Sequence, residues 1–253
     1  MCLIVIAWQV HPAFPLVVAA NRDEWRDRPA EPAHFWPDHP ELLAGRDLKA
    51  GGTWMGITKS GRFAAVTNFR DPSDRRNKGP SRGALVSDFL LGVGPPETFL
   101  GELAPRASQY DGFNLIVGDR DALFYFGSRQ ADAHAITAIA PGIHGLSNHV
   151  LDEPWPKVRR ARAAMIAAAA DAEPAPRLFA MLSDTVGAPD EDLPDTGVGL
   201  EMERFLAPPL IIGPVYGTRA STVLTVAIDG RAALEERTLD ASGHPTETRT
   251  FTF

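Results

Sequence analysis

The chain has 253 residues, 44% hydrophobic and 23% charged, the composition of a globular protein long enough to bury a substantial core. Its net charge of −7 excludes general nucleic-acid binding, which needs a basic face. The single cysteine, Cys2, excludes an internal disulfide and fits a reducing, cytoplasmic setting. The apolar start is not read as a secretory signal, because no Lys or Arg precedes it and Gln9-Val10-His11-Pro12 breaks it. No stretch approaches the length of a transmembrane helix.

Residues 3–8 and 15–20 read as paired strands, and the polar tetrad Asn21-Arg22-Asp23-Glu24 follows the second. Residues 28–40 are proline-rich, without usable periodicity, and read as a surface stretch. Residues 53–58 and 62–67 flank Lys59-Ser60-Gly61, a hairpin signal. Ser81 caps an expected helix over 82–91, and Pro95-Pro96-Glu97 opens a second. Strands are expected at 113–117, 122–126 and near Ile143, then helices at 156–170 and 176–182. Residues 184–214, acidic and then proline-rich, read as a long ordered loop, and strands at 221–228, 232–239 and 246–252 close the chain. Runs of strands alternating with runs of helices indicate antiparallel sheets with helices on outer faces, an α+β protein of one domain spanning 1–253.

The position of Cys2 suggests chemistry. If Met1 is trimmed, the chain begins with a thiol of pKa about 8.5 and an α-amine of about 7.7–8.0, a nucleophile and base on one residue. The competing reading is a small buried hydrophobe. If the first two strands are antiparallel neighbours, Cys2 and the tetrad lie at the same end of the sheet. Arg22 there would favour the thiolate and a carboxylate could orient the amine; alone, the four residues equally make a charged turn. Similar clusters mark other strand ends: Thr67-Asn68-Phe69-Arg70, Leu146-Ser147-Asn148-His149 and Tyr216-Gly217-Thr218-Arg219. An amide of Asn68 or Asn148 could donate to an oxyanion, or stabilise a turn. Arg219 could pair with a tetrad carboxylate or with a substrate carboxylate.

Other signals are weaker. The basic run Arg75-Arg76-Asn77-Lys78 leads into Ser81-Arg82-Gly83 and could hold an anion or be a solvated loop. Lys157, Arg159, Arg160 and Arg162 read as a solvated helix face. No His, Cys and carboxylate set has metal-ligand spacing, so no metal is expected, and Asp190-Glu191-Asp192 lacks the pattern of a calcium loop. His144 and His149 flank Ser147-Asn148 and could ligate haem.

Met1-Cys2, Asn21-Arg22-Asp23-Glu24, Gly51-Gly52-Thr53-Trp54, Thr67-Asn68-Phe69-Arg70, Ser81-Arg82-Gly83, Gly145-Leu146-Ser147-Asn148 and Tyr216-Gly217-Thr218-Arg219 together resemble the NRDE-motif family, also called the transport and Golgi organisation protein 2 family. The resemblance implies a four-layer αββα sandwich of two antiparallel sheets flanked by helices, like that of N-terminal nucleophile hydrolases, with roles proposed in haem trafficking and lipid or acyl-CoA metabolism. A more distant resemblance, to choloylglycine and penicillin V acylases, implies Cys2 as nucleophile, Arg22 and Asp23 as its polar cluster, Asn68 and Asn148 as oxyanion or amine partners, and Arg219 as the late arginine. The tetrad is ordered differently from theirs, which leaves Asp23 and Glu24 both open as partner of the amine, and Phe69-Arg70 replaces their Phe-Pro. The resulting expectation is a cofactor-free amidohydrolase or acyl transferase for a small amide or acyl donor, with Asn21, Glu24, Arg70, Arg82 and Ser147 contacting substrate. The alternative is a non-catalytic carrier of haem or acyl-CoA-type ligands, with Arg70, Arg82 or Arg219 holding propionates or phosphates.

Overall fold

The computed structural model describes residues 3–73, 79–132 and 135–253. In chain order its elements are β1 (Leu3–Trp8), β2 (Leu16–Trp25), β3 (Ala30–Trp36), β4 (His39–Asp47), β5 (Met55–Thr58), β6 (Phe63–Asn68), α1 (Arg82–Leu91), α2 (Pro96–Leu103), β7 (Phe113–Gly118), β8 (Leu123–Gly127), β9 (Thr137–Ala138), β10 (Gly142–Leu146), α3 (Pro156–Ala168), α4 (Ala175–Leu182), α5 (Leu200–Leu206), β11 (Tyr216–Val226), β12 (Ala232–Leu239) and β13 (Pro245–Thr252). They form two compact units. One comprises the chain up to Asp27, Pro141–Ser147 and Asp152–Phe253; the other comprises Arg28–Ala140 and Asn148–Leu151.

The first unit holds a six-stranded antiparallel sheet in the order β10-β1-β2-β11-β12-β13. Period-two alternation sends Leu3, Val5, Ala7, Val17, Ala19 and Val223 to one face, where they pack against Val158, Ala161 and Met165 of α3 and Leu178 and Leu182 of α4. The alternate residues Ile4, Ile6, Val18, Ala20 and Leu224 are equally buried. The strands therefore read as continuous apolar runs.

The second unit holds a seven-stranded antiparallel sheet in the order β3-β4-β5-β6-β7-β8-β9. Leu42, Ala44, Ala64, Val66, Leu115 and Val117 pack with Leu85, Val86 and Phe89 of α1 and Leu100 and Leu103 of α2. Ser81 caps α1 by accepting a hydrogen bond from the Gly83 N–H at 3.3 Å. Gly61, at φ 91°, closes the β5–β6 hairpin with its N–H on the Thr58 carbonyl.

Several expectations are corrected. Residues 28–40 are not loop: they carry β3 and the start of β4. Proline is tolerated because β3 is an edge strand and Pro32 falls inside a register shift between Glu31 and His34. The tetrad does not follow β2 but forms its second half, and Tyr216-Gly217-Thr218-Arg219 begins β11 instead of preceding it. These polar ends remain strand because the two strands pair from Leu16–Val226 through to Trp25–Tyr216. Residues 184–214 contain a 3₁₀ turn at Asp190–Asp192 and α5, joined by an Arg204–Asp190 ion pair. Lys157 is not on a solvated face but buried, its ammonium donating to the Leu206 carbonyl near the end of α5 at 2.9 Å. The basic run Arg75-Arg76-Asn77-Lys78 lies outside the described residues. Among the described residues no helix is long and apolar enough to cross a membrane.

Candidate functional site

In the first unit, β1 runs antiparallel to β2 with Leu3 directly opposite Asn21. Cys2 lies outside the described residues; what the register fixes is that the chain enters β1 at the tetrad. Asn21, Arg22 and Asp23 are 0%, 4% and 4% exposed, so they are interior groups rather than a charged turn. Alternation puts Asn21 and Asp23 on the face shared with Val17 and Ala19, and Arg22 and Glu24 on the other.

Asn21 and Asp23 are held by chain far away in sequence. Asn21 donates from its amide nitrogen to the Leu182 and Pro209 carbonyls at 2.9 and 2.8 Å, and its oxygen accepts from Ser221 Oγ at 2.6 Å. Asp23 accepts from Thr218 Oγ1 at 2.6 Å, and that hydroxyl accepts from the Ile211 N–H at 2.9 Å. The Asp23 carboxylate is thus fixed by a hydroxyl that is itself oriented. Arg22 lies 3.8 Å from Glu24 in an ion pair along the same face. Arg219 occupies the bulge between Thr218 and Ala220 and donates to the Trp25 carbonyl at 3.2 Å. Burial, together with the Arg219 charge, lowers the pKa of neighbouring Arg26.

Ser147, just past β10, is buried. His144 is bonded through Nδ1 to Asp152 at 2.7 Å, while Asp152, at φ 60°, also accepts from the Gly145 N–H at 2.8 Å. Burial pushes the Asp152 carboxyl up, but its bonds to His144 and Gly145 and the Arg162 charge outweigh that and hold it below the ordinary value.

Glu236 escaped the sequence reading. It is 3% exposed on β12 and accepts from Thr222 at 3.2 Å. A signal was present: Glu236 is in phase with buried Leu234, while Glu235 pairs with Arg237, so alternation marks Glu236 as the inward carboxylate.

The second unit gathers Asn68, Arg70, Arg82 and Asn148. Asn68 ends β6 with its side chain exposed, and its carbonyl accepts from Asn148 Nδ2 at 3.0 Å. Arg70 donates its backbone N–H to the Asn148 carbonyl at 2.7 Å and its guanidinium to Asn148 Oδ1 at 3.3 Å. Arg82, the first residue of α1, donates to the Gly112 carbonyl, which also takes the Phe69 N–H. The His149 ring lies 4.9 Å from that of Phe69. The Gly51-Gly52-Thr53-Trp54 motif supports this region: a side chain on Gly52 would come within 2.5 Å of the Gly83 backbone, and the Thr53 N–H bonds the Gly83 carbonyl.

The expected residues therefore fall into two sets, one in each unit: Asn21, Arg22, Asp23, Glu24, Ser147 and Arg219, and Asn68, Arg70, Arg82 and Asn148. Among the described residues no three His, Cys, Asp or Glu side chains gather as metal ligands.

The profile of the Transport and Golgi organisation 2 family matches residues 1–241. The transport and Golgi organization protein 2 homolog of Bos taurus is 35% identical over 273 residues, covering 100% of this chain and 98% of that protein. The Homo sapiens homolog is 34% identical over 277 residues, covering 100% and 99%. Among solved structures, the C2A mutant of a conjugated bile acid hydrolase from Clostridium perfringens superposes with a TM-score of 0.50 at 9% identity, covering 100% of this chain and 97% of that one. That likeness is one of fold, the α+β fold with two antiparallel sheets of N-terminal nucleophile hydrolases. The sequence match over the whole length is of another order, and by it the chain belongs to the Transport and Golgi organisation 2 family.

Proposed function

We propose that the protein is an N-terminal cysteine nucleophile-type hydrolase or acyl transferase for a small amide or acyl donor. The observation that carries this reading is the pairing of Leu3 with Asn21, which brings the chain into its first strand beside a buried guanidinium and a buried, hydrogen-bonded carboxylate. Once Met1 is removed, the Cys2 α-amine would take the thiol proton, with Arg22 raising the thiolate fraction and Asp23 or Glu24 orienting the ammonium. The thiolate adds to the substrate carbonyl carbon, and the carbonyl electron pair moves to oxygen, where an amide N–H would donate to it, the part that the acylase resemblance assigns to Asn68 or Asn148. Collapse expels the leaving amine with the proton from the α-amine and leaves a thioester, which water or an acceptor nucleophile then cleaves. The solved structure of like fold, the C2A mutant of a conjugated bile acid hydrolase, supports the assignment.

Intact mass before and after mild treatment with a cysteine-directed electrophile tests this directly. Loss of Met1 and rapid single labelling, slowed in Arg22→Ala, are expected. In a screen of amides, Cys2→Ala should fold normally and lose turnover. Turnover unchanged in Cys2→Ala overturns the proposal.

A second reading, a carrier of haem or an acyl thioester, is favoured by one observation: Arg70, bonded to Asn148, and Arg82, bonded to Gly112, lie in the same unit and could hold propionates or phosphates. Saturable binding of haem or an acyl-CoA that persists in Cys2→Ala and weakens in Arg70→Ala supports it. No spectral change on haem titration removes its haem version.

A further inference from the structure

Asn148–Leu151 is a four-residue stretch that belongs to the second unit while the chain on either side of it belongs to the first. Besides Arg70 and Asn68, side chains that no motif marks hold it there. Asn114, on β7, is fully buried and donates to the His149 carbonyl at 2.8 Å and to Thr67 Oγ1 at 3.1 Å. Its oxygen accepts from the Tyr125 hydroxyl of β8 at 2.8 Å. Burial pushes the Tyr125 phenol up to about 12, so it stays a donor across the working range of pH.

The direction of these bonds matters. An Asn amide can sit either way round; the His149 carbonyl, which can only accept, selects the orientation in which Nδ2 faces it, and the Tyr125 hydroxyl, able to donate or accept, then donates to Oδ1. Gly127 stands opposite Asn114 on β8, and a side chain there would overlap the Tyr125 hydroxyl. Tyr125 lies over Gly127 to reach Asn114. Residue 149 is thus held by Asn114, and residue 148 by Arg70 and Asn68.

We infer that Asn114, its amide oriented by the His149 carbonyl and its oxygen held by Tyr125, is a positioning residue for Asn148: it fixes the backbone that carries the Asn148 amide. Its kinetic consequence rests on the hydrolase reading; its structural consequence does not. Asn114→Ala strands buried polar groups and risks misfolding, so the variants are Tyr125→Phe, which removes the donor that holds the Asn114 oxygen, and Gly127→Ala, which displaces it.

The first readout is the side-chain amide resonance of Asn148 in the full chain, identified by its loss in Asn148→Ala. It should shift in Tyr125→Phe and Gly127→Ala, while that of Asn21, in the other unit, stays in place. The second is turnover of the best amide found: kcat should fall about a hundredfold, the scale of a lost oxyanion donor, at little changed KM, and Asn148→Ala should add little further loss. An Asn148 resonance that does not move overturns the inference, as does a moved resonance with undiminished kcat. If the wild-type protein turns over no amide, the hydrolase reading falls and the resonance alone decides the positioning role.

Discussion

Asn21 carries two roles in the expectation drawn from sequence, a motif residue and a substrate contact, yet both its donor bonds and its acceptor bond go to the protein itself. It ties β2 to the end of α4 and to the segment before β11. Asn21→Ala leaves the Leu182 and Pro209 carbonyls buried without this donor, at about 1–3 kcal/mol each, so a loss of about 3 kcal/mol in unfolding free energy is expected by urea titration. A loss below about 1 kcal/mol would mean that both carbonyls find other donors. Asp152 gives a pH-dependent counterpart. Its carboxyl is held below its ordinary value in the folded state, so its stabilisation is present above the unfolded pKa of about 3.9 and is lost as pH falls through the folded value. The stability difference between wild type and Asp152→Asn should therefore shrink as pH drops below about 4, and a constant difference from pH 6 to 3 would contradict the bonding described. The motif residues were legible as polar points among apolar runs. Their partners were not: Ser221, Thr218 and Ile211 lie some 190 to 200 positions from the tetrad, and nothing local announces them.

Elements bounded by local chemistry were readable in advance. The Ser81 cap, the prolines opening α2 and α3, and the Lys59-Ser60-Gly61 turn each act within a few residues, and each stands where expected. The elements that were missed or shortened depend on neighbours. β3 exists because β4 pairs with it and a bulge accommodates Pro32, and β2 continues through four polar residues because β11 supplies Thr218 and Ser221 opposite them. A motif can also be recognised without revealing its purpose. Gly51-Gly52-Thr53-Trp54 reads as a signature, but only the structure shows Gly52 against the backbone of Gly83 at the start of α1, and the Trp54 ring over Gly45. Gly52→Ala should therefore cost about 1–3 kcal/mol, because the atoms it meets are backbone and cannot rotate away. That corresponds to a fall of about 2–4 °C per kcal/mol in thermal melting, and an unchanged melting temperature would show that α1 shifts without cost.

At the scale of the molecule, neither compact unit is a continuous piece of chain. The backbone passes between them after Asp27, Ala140, Ser147 and Leu151, and the last two crossings are separated by four residues only. Each unit has its own apolar core, Leu178 and Met165 in one, Phe89 and Leu100 in the other, so separate unfolding is conceivable on packing grounds. Connectivity argues against it. Melting the second unit turns residues 28–140 into a long open loop between β2 and β10, whose closure entropy then falls on the first unit. The expectation is one cooperative transition. Trp36 and Trp54 lie in the second unit and Trp8, Trp25 and Trp155 in the first, so a Trp36→Phe, Trp54→Phe background reports from the first unit alone. In that background Phe89→Ala, a cavity of about 3–5 kcal/mol in the second core, should lower the fluorescence midpoint of the first unit as far as it lowers the far-ultraviolet ellipticity. If the fluorescence midpoint stays fixed while ellipticity falls in two steps, the units unfold independently. The four-residue crossing then serves to place Asn148 and does not couple the cores.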